Sequence, residues 1–235
     1  HPPCSPPQAF WPECSDEDIL SHPPTTGSNA WYRRGQWNAD YSVAEFRRRY
    51  FGEMTHLDSA VGRVLNRLEN DGMLENTVVI FTSDHGEMAG CHGLFGKGVM
   101  YEEAIRVPLI IHFPEAMAIP SSRCERPVCT LDLFATILEL AGVTPPDDCD
   151  GQSLLALCRD SSSSSFEDKP VIVEYADRIC AVSGQKKYIF HRQSGHLEAM
   201  YDLEEDPYET RNIAGSSSRG PDAELDFANL FARLA

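Results

Sequence analysis

What is scarce in these 235 residues limits the function before any motif is read. Basic residues are few: 20 Lys and Arg stand against 36 Asp and Glu, a formal net charge of −16. That field repels phosphate backbones and anionic lipid, so nucleic acid and membrane surfaces are poor partners. An anionic substrate would need a local cationic pocket or a metal. No apolar run is long enough to span a bilayer. No Asn-x-Ser/Thr sequon occurs, which removes one sign of the secretory route. None of the eight cysteines forms a Cys-x-x-Cys pair, so a structural zinc site is not indicated. Cys124/Cys129 and Cys149/Cys158 lie in turn-rich stretches where a bridge is sterically allowed, with free thiols as the equal alternative. The chain opens on His1, with neither an initiator Met nor a signal-peptide pattern, as expected of a fragment or a processed piece.

What is present is ordinary for a folded protein: 42% hydrophobic and 24% charged residues, enough for one large domain or one domain with a small appendage. Residues 1–37 are rich in Pro and Trp and read as a loop wrapped over a body. Ser42-Val43-Ala44-Glu45 has capping-box spacing, and apolar residues from Phe46 to Leu68 recur at helical period until Asp71-Gly72 stops them. Thr77–Thr82 and Val107–Phe113 are continuous apolar runs of the kind buried on both faces of a sheet. Thr130 to Leu140 reads as an amphipathic helix carrying Leu133, Phe134, Ile137 and Leu138. Ser161–Ser165 is a low-complexity loop. Beyond it, Val171–Tyr175, Lys187–His191 and Ala199–Leu203 are short strands, and a closing helix starts at Ala223. The alternation predicts an α/β layer structure over residues 1–165 and a small α+β subdomain over 166–235.

The chemistry concentrates after the first strand. In Phe81-Thr82-Ser83-Asp84-His85-Gly86-Glu87 a carboxylate and an imidazole emerge together beyond a strand's carboxyl end, where open α/β sheets place their sites. Both can reach one divalent cation if the backbone turns at Gly86, although two ligands do not complete a shell. The plain alternative is a turn that Asp84 caps. Lys97, between Gly96 and Gly98, can approach an oxyanion closely or stand simply solvated. His92, in Gly90-Cys91-His92-Gly93, reads as a plain loop residue, with a role supporting the groups of the site as the alternative.

Taken together, Thr82-Ser83-Asp84-His85-Gly86-Glu87, His92-Gly93-Leu94-Phe95-Gly96-Lys97 and Arg106-Val107-Pro108-Leu109-Ile110 resemble the sulfatase family of the alkaline phosphatase superfamily. The resemblance is nearest to the branch of arylsulfatases, choline sulfatases and phosphonate monoester hydrolases. Leu131-Asp132-Leu133-Phe134-Ala135-Thr136, Asp150-Gly151-Gln152-Ser153-Leu154, Lys187-Tyr188-Ile189 and Tyr201-Asp202-Leu203-Glu204-Glu205-Asp206-Pro207 follow in the family's order. What this implies is an alkaline phosphatase-like sandwich with a central, mainly parallel sheet and a small antiparallel sheet at the end.

It also implies roles. Asp84 and His85 match metal ligands, and the cation implied is Ca²⁺, with Mn²⁺ or Mg²⁺ as alternatives. Lys97 matches the lysine at the transferred group. His1, in His1-Pro2-Pro3, resembles the histidine that donates a proton to the leaving group. The family's nucleophile is a formylglycine made from Cys or Ser in a C/S-x-P-x-R motif. Cys4-Ser5-Pro6-Pro7-Gln8 puts Gln8 where Arg belongs and reads as coincidence, so the nucleophile is expected outside this chain. The implied activity is metal-dependent hydrolysis of a small-molecule or glycan sulfate ester. A phosphonate or phosphate diester hydrolase and a non-catalytic remnant are the alternatives. A secreted, lysosomal or periplasmic location is favoured over a cytoplasmic one, and nothing in the pattern sets an oligomeric state.

Overall fold

Ser42 ends an extended stretch, and its hydroxyl accepts the Glu45 N–H at 3.1 Å. This starts the longest helix of the computed structural model, which describes residues 6–13, 15–21 and 42–215. The reciprocal half of the expected capping box is replaced, because the Glu45 carboxylate turns outward to pair with Arg49 at 2.9 Å. The helix expected from Ala223 lies outside the described residues, as do His1 and Cys4.

Two compact units divide the chain, His1–Ala118 and Ile119–Ala235. The boundary expected at 165/166 therefore falls inside the second. In the first unit a short helix, α1 (Asp16–Leu20), precedes the long helix α2 (Val43–Asn70). A true capping box at Ser15/Asp18 starts α1, and Gly72, at φ +66°, follows the end of α2. Strand β1 (Val79–Thr82) leads to a long loop, the single-turn helix α3 (Glu102–Ile105) and strand β2 (Leu109–His112).

β1 and β2 pair antiparallel, with Val79 opposite His112 and Thr82 opposite Leu109. The parallel neighbours of a mainly parallel sheet are not among the described residues. Nor is β1 buried on both faces as its composition suggests. Val79 and Ile80 are half-buried while Phe81 and Thr82 are exposed, and Ile110 on β2 is 61% exposed. Among the described residues the pair is one ribbon whose Phe81 and Ile110 side is uncovered.

The core of this unit gathers instead around the start of α2. Phe46, Ala44, Ile19, Met88, Val99, Met100, Tyr101 and Ala104 are all buried. Arg47 is buried among them at 3% exposure. Its guanidinium donates from Nε to the Ala89 carbonyl at 2.7 Å and from Nη1 to the Ile19 carbonyl at 3.3 Å. Gly90, at φ +89°, comes so close that a Cβ there would stand 2.6 Å from Val43 Cγ1. Phe95 meets Phe46 edge-on at 5.0 Å. Of the segment expected as a wrapped loop, the Trp11 indole donates to the Pro6 carbonyl and lies under Arg49 at 5.1 Å, whereas Asp16–Leu20 is the helix α1 and not loop. Farther along α2 the apolar stripe is open to solvent, at Phe51, Met54, Leu57 and Val64.

In the second unit α4 (Thr130–Leu140) forms where the apolar period places it. Its inward face differs from expectation. Asp132, Ala135 and Thr136 are buried, Leu133 and Leu138 are half-buried, and Phe134 and Ile137 are exposed. Hydrogen bonding decides this orientation. The Asp132 carboxylate accepts the N–H groups of Cys129 at 2.8 Å and Gln152 at 2.7 Å, and Thr136 Oγ1 accepts the Leu154 N–H at 2.9 Å. The Gly151–Leu154 turn is thereby fastened to the helix and runs into α5 (Leu155–Arg159). Cys124, Cys129, Cys149 and Cys158 are free thiols, as are the buried Cys91 and Cys180.

A four-stranded antiparallel meander follows, β3 (Val171–Tyr175), β4 (Arg178–Ser183), β5 (Lys186–His191) and β6 (Leu197–Asp202). β4, with the sequence RICAVS, is the strand that the apolar pattern did not reveal, since its small residues blur the alternation. Ala181, Tyr188, Phe190 and Met200 make the core of one face, joined by Ile172, Leu197 and Ile213. Lys187 and Glu209 are buried at 0% and 2% exposure, and their ion pair measures 2.7 Å. A buried pair adds little net stability over an apolar one, but removing one partner leaves a charge with no water. Glu209→Ala is expected to lower the unfolding free energy of the full-length protein by about 3–5 kcal/mol in urea titration. Combining it with Lys187→Met should cost less than Glu209→Ala alone, because the stranded ammonium is then gone.

Candidate active site

β1 ends at Thr82, and the next four residues turn rather than continue the ribbon. Gly86 makes this possible, since a Cβ at this position would stand 1.9 Å from the Glu103 carbonyl oxygen. Its N–H instead donates to the Ala104 carbonyl at 2.8 Å, pinning the turn to α3. Asp84 and His85 are thereby presented side by side. Asp84 Oδ1 accepts the His85 backbone N–H at 3.0 Å, and Asp84 Oδ2 stands 3.4 Å from His85 Nε2.

The partners of the imidazole fix its tautomer. Nδ1 faces the Gly86 carbonyl at 2.8 Å, and a carbonyl can only accept, so Nδ1 carries the proton. Nε2 faces Lys97 Nζ at 2.7 Å, and an ammonium can only donate, so Nε2 presents its lone pair. A carboxylate oxygen and an imidazole lone pair thus converge 3.4 Å apart with a cationic group beside them. This is the tautomer in which histidine binds metals, with the far nitrogen held by a backbone carbonyl. Two donors of a divalent cation fit the spot; among the described residues no group of three or more His, Cys, Asp and Glu gathers. Partial desolvation pushes the Asp84 carboxyl up, yet the adjoining His85 ring and the hydrogen bonds outweigh it and hold the carboxyl below its ordinary value. The side chain of Asp84 is 83% exposed and that of His85 31%, so a ligand can reach both.

Lys97 is exposed and comes back to His85 through a closed loop. Met88 N–H donates to the Gly96 carbonyl at 2.9 Å and Gly90 N–H to the Leu94 carbonyl at 2.8 Å. Gly96 and Gly98 both have positive φ, +80° and +88°, so the lysine is flanked by backbone that side chains disfavour. The structure thus brings Asp84, His85 and Lys97 together. His92 departs from the plain reading. It is 4% exposed, adopts φ +54°, stacks on Tyr101 at 3.7 Å and lies 4.0 Å from Glu103 Oε2. It is a packing residue beneath the loop.

Asp202 and Asp206 are engaged locally in the second unit, Asp202 with Lys186 and Asp206 with the Arg211 N–H at 2.7 Å. Sequence reasoning missed Arg47 and Glu87. Arg47 sits beside Phe46 in a helical pattern where charge signals solvent. Glu87 was legible only as the end of a motif.

Comparison with known proteins gives the family of the chain. The sulfatase family profile matches residues 4–143, and the profile of the C-terminal part of N-sulphoglucosamine sulphohydrolase matches residues 90–224. The chain belongs to the sulfatase family. It is 32% identical over 200 residues to N-acetylglucosamine-6-O-sulfatase of Bacteroides thetaiotaomicron, covering 79% of this chain and 36% of that protein. With choline-sulfatase of Rhizobium meliloti it shares 33% over 200 residues, covering 81% and 36%. The chain therefore spans about a third of the length of the curated relatives it matches. A solved structure in complex with its substrate D-glucosamine-2-N,6-O-disulfate superposes with a TM-score of 0.69 at 28% identity, covering 81% of this chain and 40% of that one. The phosphonate monoester hydrolase of Agrobacterium radiobacter has the same fold, with a TM-score of 0.78 at 24% identity, covering all of this chain and 54% of that one. The α/β class follows from these likenesses. No helix among the described residues is long and apolar enough to cross a membrane.

One chemical consequence is local. Burial, and then the Glu103 carboxylate, push the Cys91 thiol up to about 11. At pH 8 its thiolate fraction is on the order of one in a thousand. Iodoacetamide mapped by mass spectrometry should label exposed Cys124 within minutes and leave Cys91 unlabelled in the folded protein.

Proposed function

We propose that these residues supply part of the active centre of a sulfuric ester hydrolase. The observation that carries the reading is the convergence of Asp84, His85 and Lys97 at the end of β1, with two acceptors and one donor facing each other. Asp84 and His85 are the residues that would hold the divalent cation, Ca²⁺ first, with Mn²⁺ or Mg²⁺ as alternatives. When bound, the cation neutralises charge on the oxygens of the ester.

Lys97 does complementary work. Its ammonium stands at the exposed end of a flexible side chain, where it can meet an ester oxygen and stabilise charge that moves to the leaving group. The Nδ1–H···O=C bond keeps His85 in the tautomer that binds cations, which prevents it from competing as a second donor. These cationic groups explain how a chain of net charge −16 handles an anion, since the local field and not the total sets affinity. The nucleophile, a formylglycine, is assigned to no residue of these 235, and His1 is retained as the proton donor to the leaving group.

The relatives named for N-acetylglucosamine 6-O-sulfate and choline sulfate favour a small-molecule or glycan sulfate ester as substrate. A glycan substrate suits a secreted, lysosomal or periplasmic enzyme. A second reading, phosphonate or phosphate diester hydrolysis, is favoured by 31% identity to a multifunctional alkaline phosphatase superfamily protein of Trinickia caryophylli, over 74% of this chain. Turnover of matched aryl sulfate and aryl phosphonate esters by the full-length enzyme separates the two, the higher kcat/KM naming the class.

Substitutions test the roles. Asp84→Ala should abolish both metal content, read by elemental analysis, and turnover. His85→Asn should be milder, because an amide oxygen still coordinates a hard cation. Lys97→Ala should keep the metal and slow turnover about 10²- to 10³-fold. Parental turnover by Lys97→Ala would reduce Lys97 to a solvated loop residue.

A further inference from the structure

Lys97 poses a mechanical problem. Its side chain has four rotatable bonds and is exposed, and Gly96 and Gly98 on either side have no side chains with which to brace it. Where the ammonium can go is therefore set by where the backbone of residues 96–98 is held. The Gly96 carbonyl is held by the Met88 N–H at 2.9 Å, and the Gly96 N–H is held by a side chain. Glu87 Oε1 accepts the Gly96 N–H at 2.5 Å and the Ala89 N–H at 3.2 Å. It thereby ties the first residues of the loop to the residue immediately before the lysine. Glu87 is half-buried, and it follows His85 by one residue, Gly86, which is itself locked against α3. A single carboxylate thus connects the segment that presents Asp84 and His85 to the segment that presents Lys97.

We propose that Glu87 is a positioning residue for Lys97, a clamp that sets the distance between the ammonium and the Asp84–His85 pair. The role goes beyond the sulfatase reading and rests on it for its catalytic consequence. The clamp works through acceptance of two N–H groups, which is a matter of reach and lone pairs rather than of charge. Glu87→Gln retains an oxygen in the same place. Glu87→Asp is shorter by one methylene and cannot span both amides. Glu87→Ala removes the acceptor.

The test uses the full-length enzyme in a double-mutant cycle with Lys97→Ala, beside hydrogen exchange of the peptide covering residues 88–97 and metal analysis. In the parent, Glu87→Ala and Glu87→Asp are expected to lower kcat about 10- to 100-fold, the scale on which a misplaced catalytic group loses rate. Glu87→Gln should stay within about threefold of the parent. In the Lys97→Ala background, Glu87→Ala should cost less than about twofold, since there is no longer a lysine to misplace. Exchange at the Gly96 and Ala89 amides should accelerate about tenfold or more in Glu87→Ala and Glu87→Asp but not in Glu87→Gln. Metal content should be that of the parent throughout.

Equal losses in both backgrounds would overturn the proposal, as would a Gln variant that falls as far as Ala, or a loss of metal in Glu87→Ala. Unchanged exchange in Glu87→Ala would overturn the clamp whatever the kinetics. Parental turnover by Lys97→Ala overturns the function assigned to the site instead, and the exchange measurement then decides the clamp by itself.

Discussion

The first unit depends on a buried guanidinium. Arg47 cannot keep its charge in a dry core unless its donors are taken up, and the carbonyls of Ile19 and Ala89 take them. Those two carbonyls belong to α1 and to the loop between β1 and α3, so satisfying one side chain forces three segments into register. Once Ala89 is fixed, Gly90 is carried against Val43, Phe95 against Phe46, and the loop can return only by way of Gly96. The same core raises the Cys91 thiol and keeps it inert. Chemistry at the exposed end of the loop is thus supported by an arginine that never reaches solvent.

The site and its support were unequally legible in the sequence. Asp84, His85 and Lys97 could be picked out because adjacency after a strand and flanking glycines are local signals. The helices α2 and α4 and three strands of the second sheet followed from apolar period in the same way. Arg47 and Glu87 were invisible because their roles are made by partners far along the chain or by backbone amides, and periodicity carries no trace of either. The inward face of α4 was misjudged for a related reason. Asp132 and Thr136 are short polar residues with specific amide partners, and those bonds outweighed the larger apolar side chains beside them.

Charge in this molecule is organised by distance. The excess of acidic residues is spread over the surface, where water and salt screen it within about a Debye length. The ammonium of Lys97 stands 2.7 Å from an imidazole nitrogen and so acts at a range where screening is weak. Total charge sets solubility and approach, while contact geometry sets what is bound.

The pair Lys187–Glu209 has a consequence for how the second unit is made. Glu209 lies beyond β6, so during synthesis all four strands leave the ribosome before the partner of Lys187 does. Until then this ion pair cannot form, and the lysine lacks the carboxylate that meets it at 2.7 Å in the finished unit. The left-handed backbone of Glu209, at φ +52°, adds a second condition, because the carboxylate arrives only when the turn around it is complete. A residue outside the sheet thus completes a pair inside it, so a chain interrupted shortly before Glu209 would carry four strands and lack that pair.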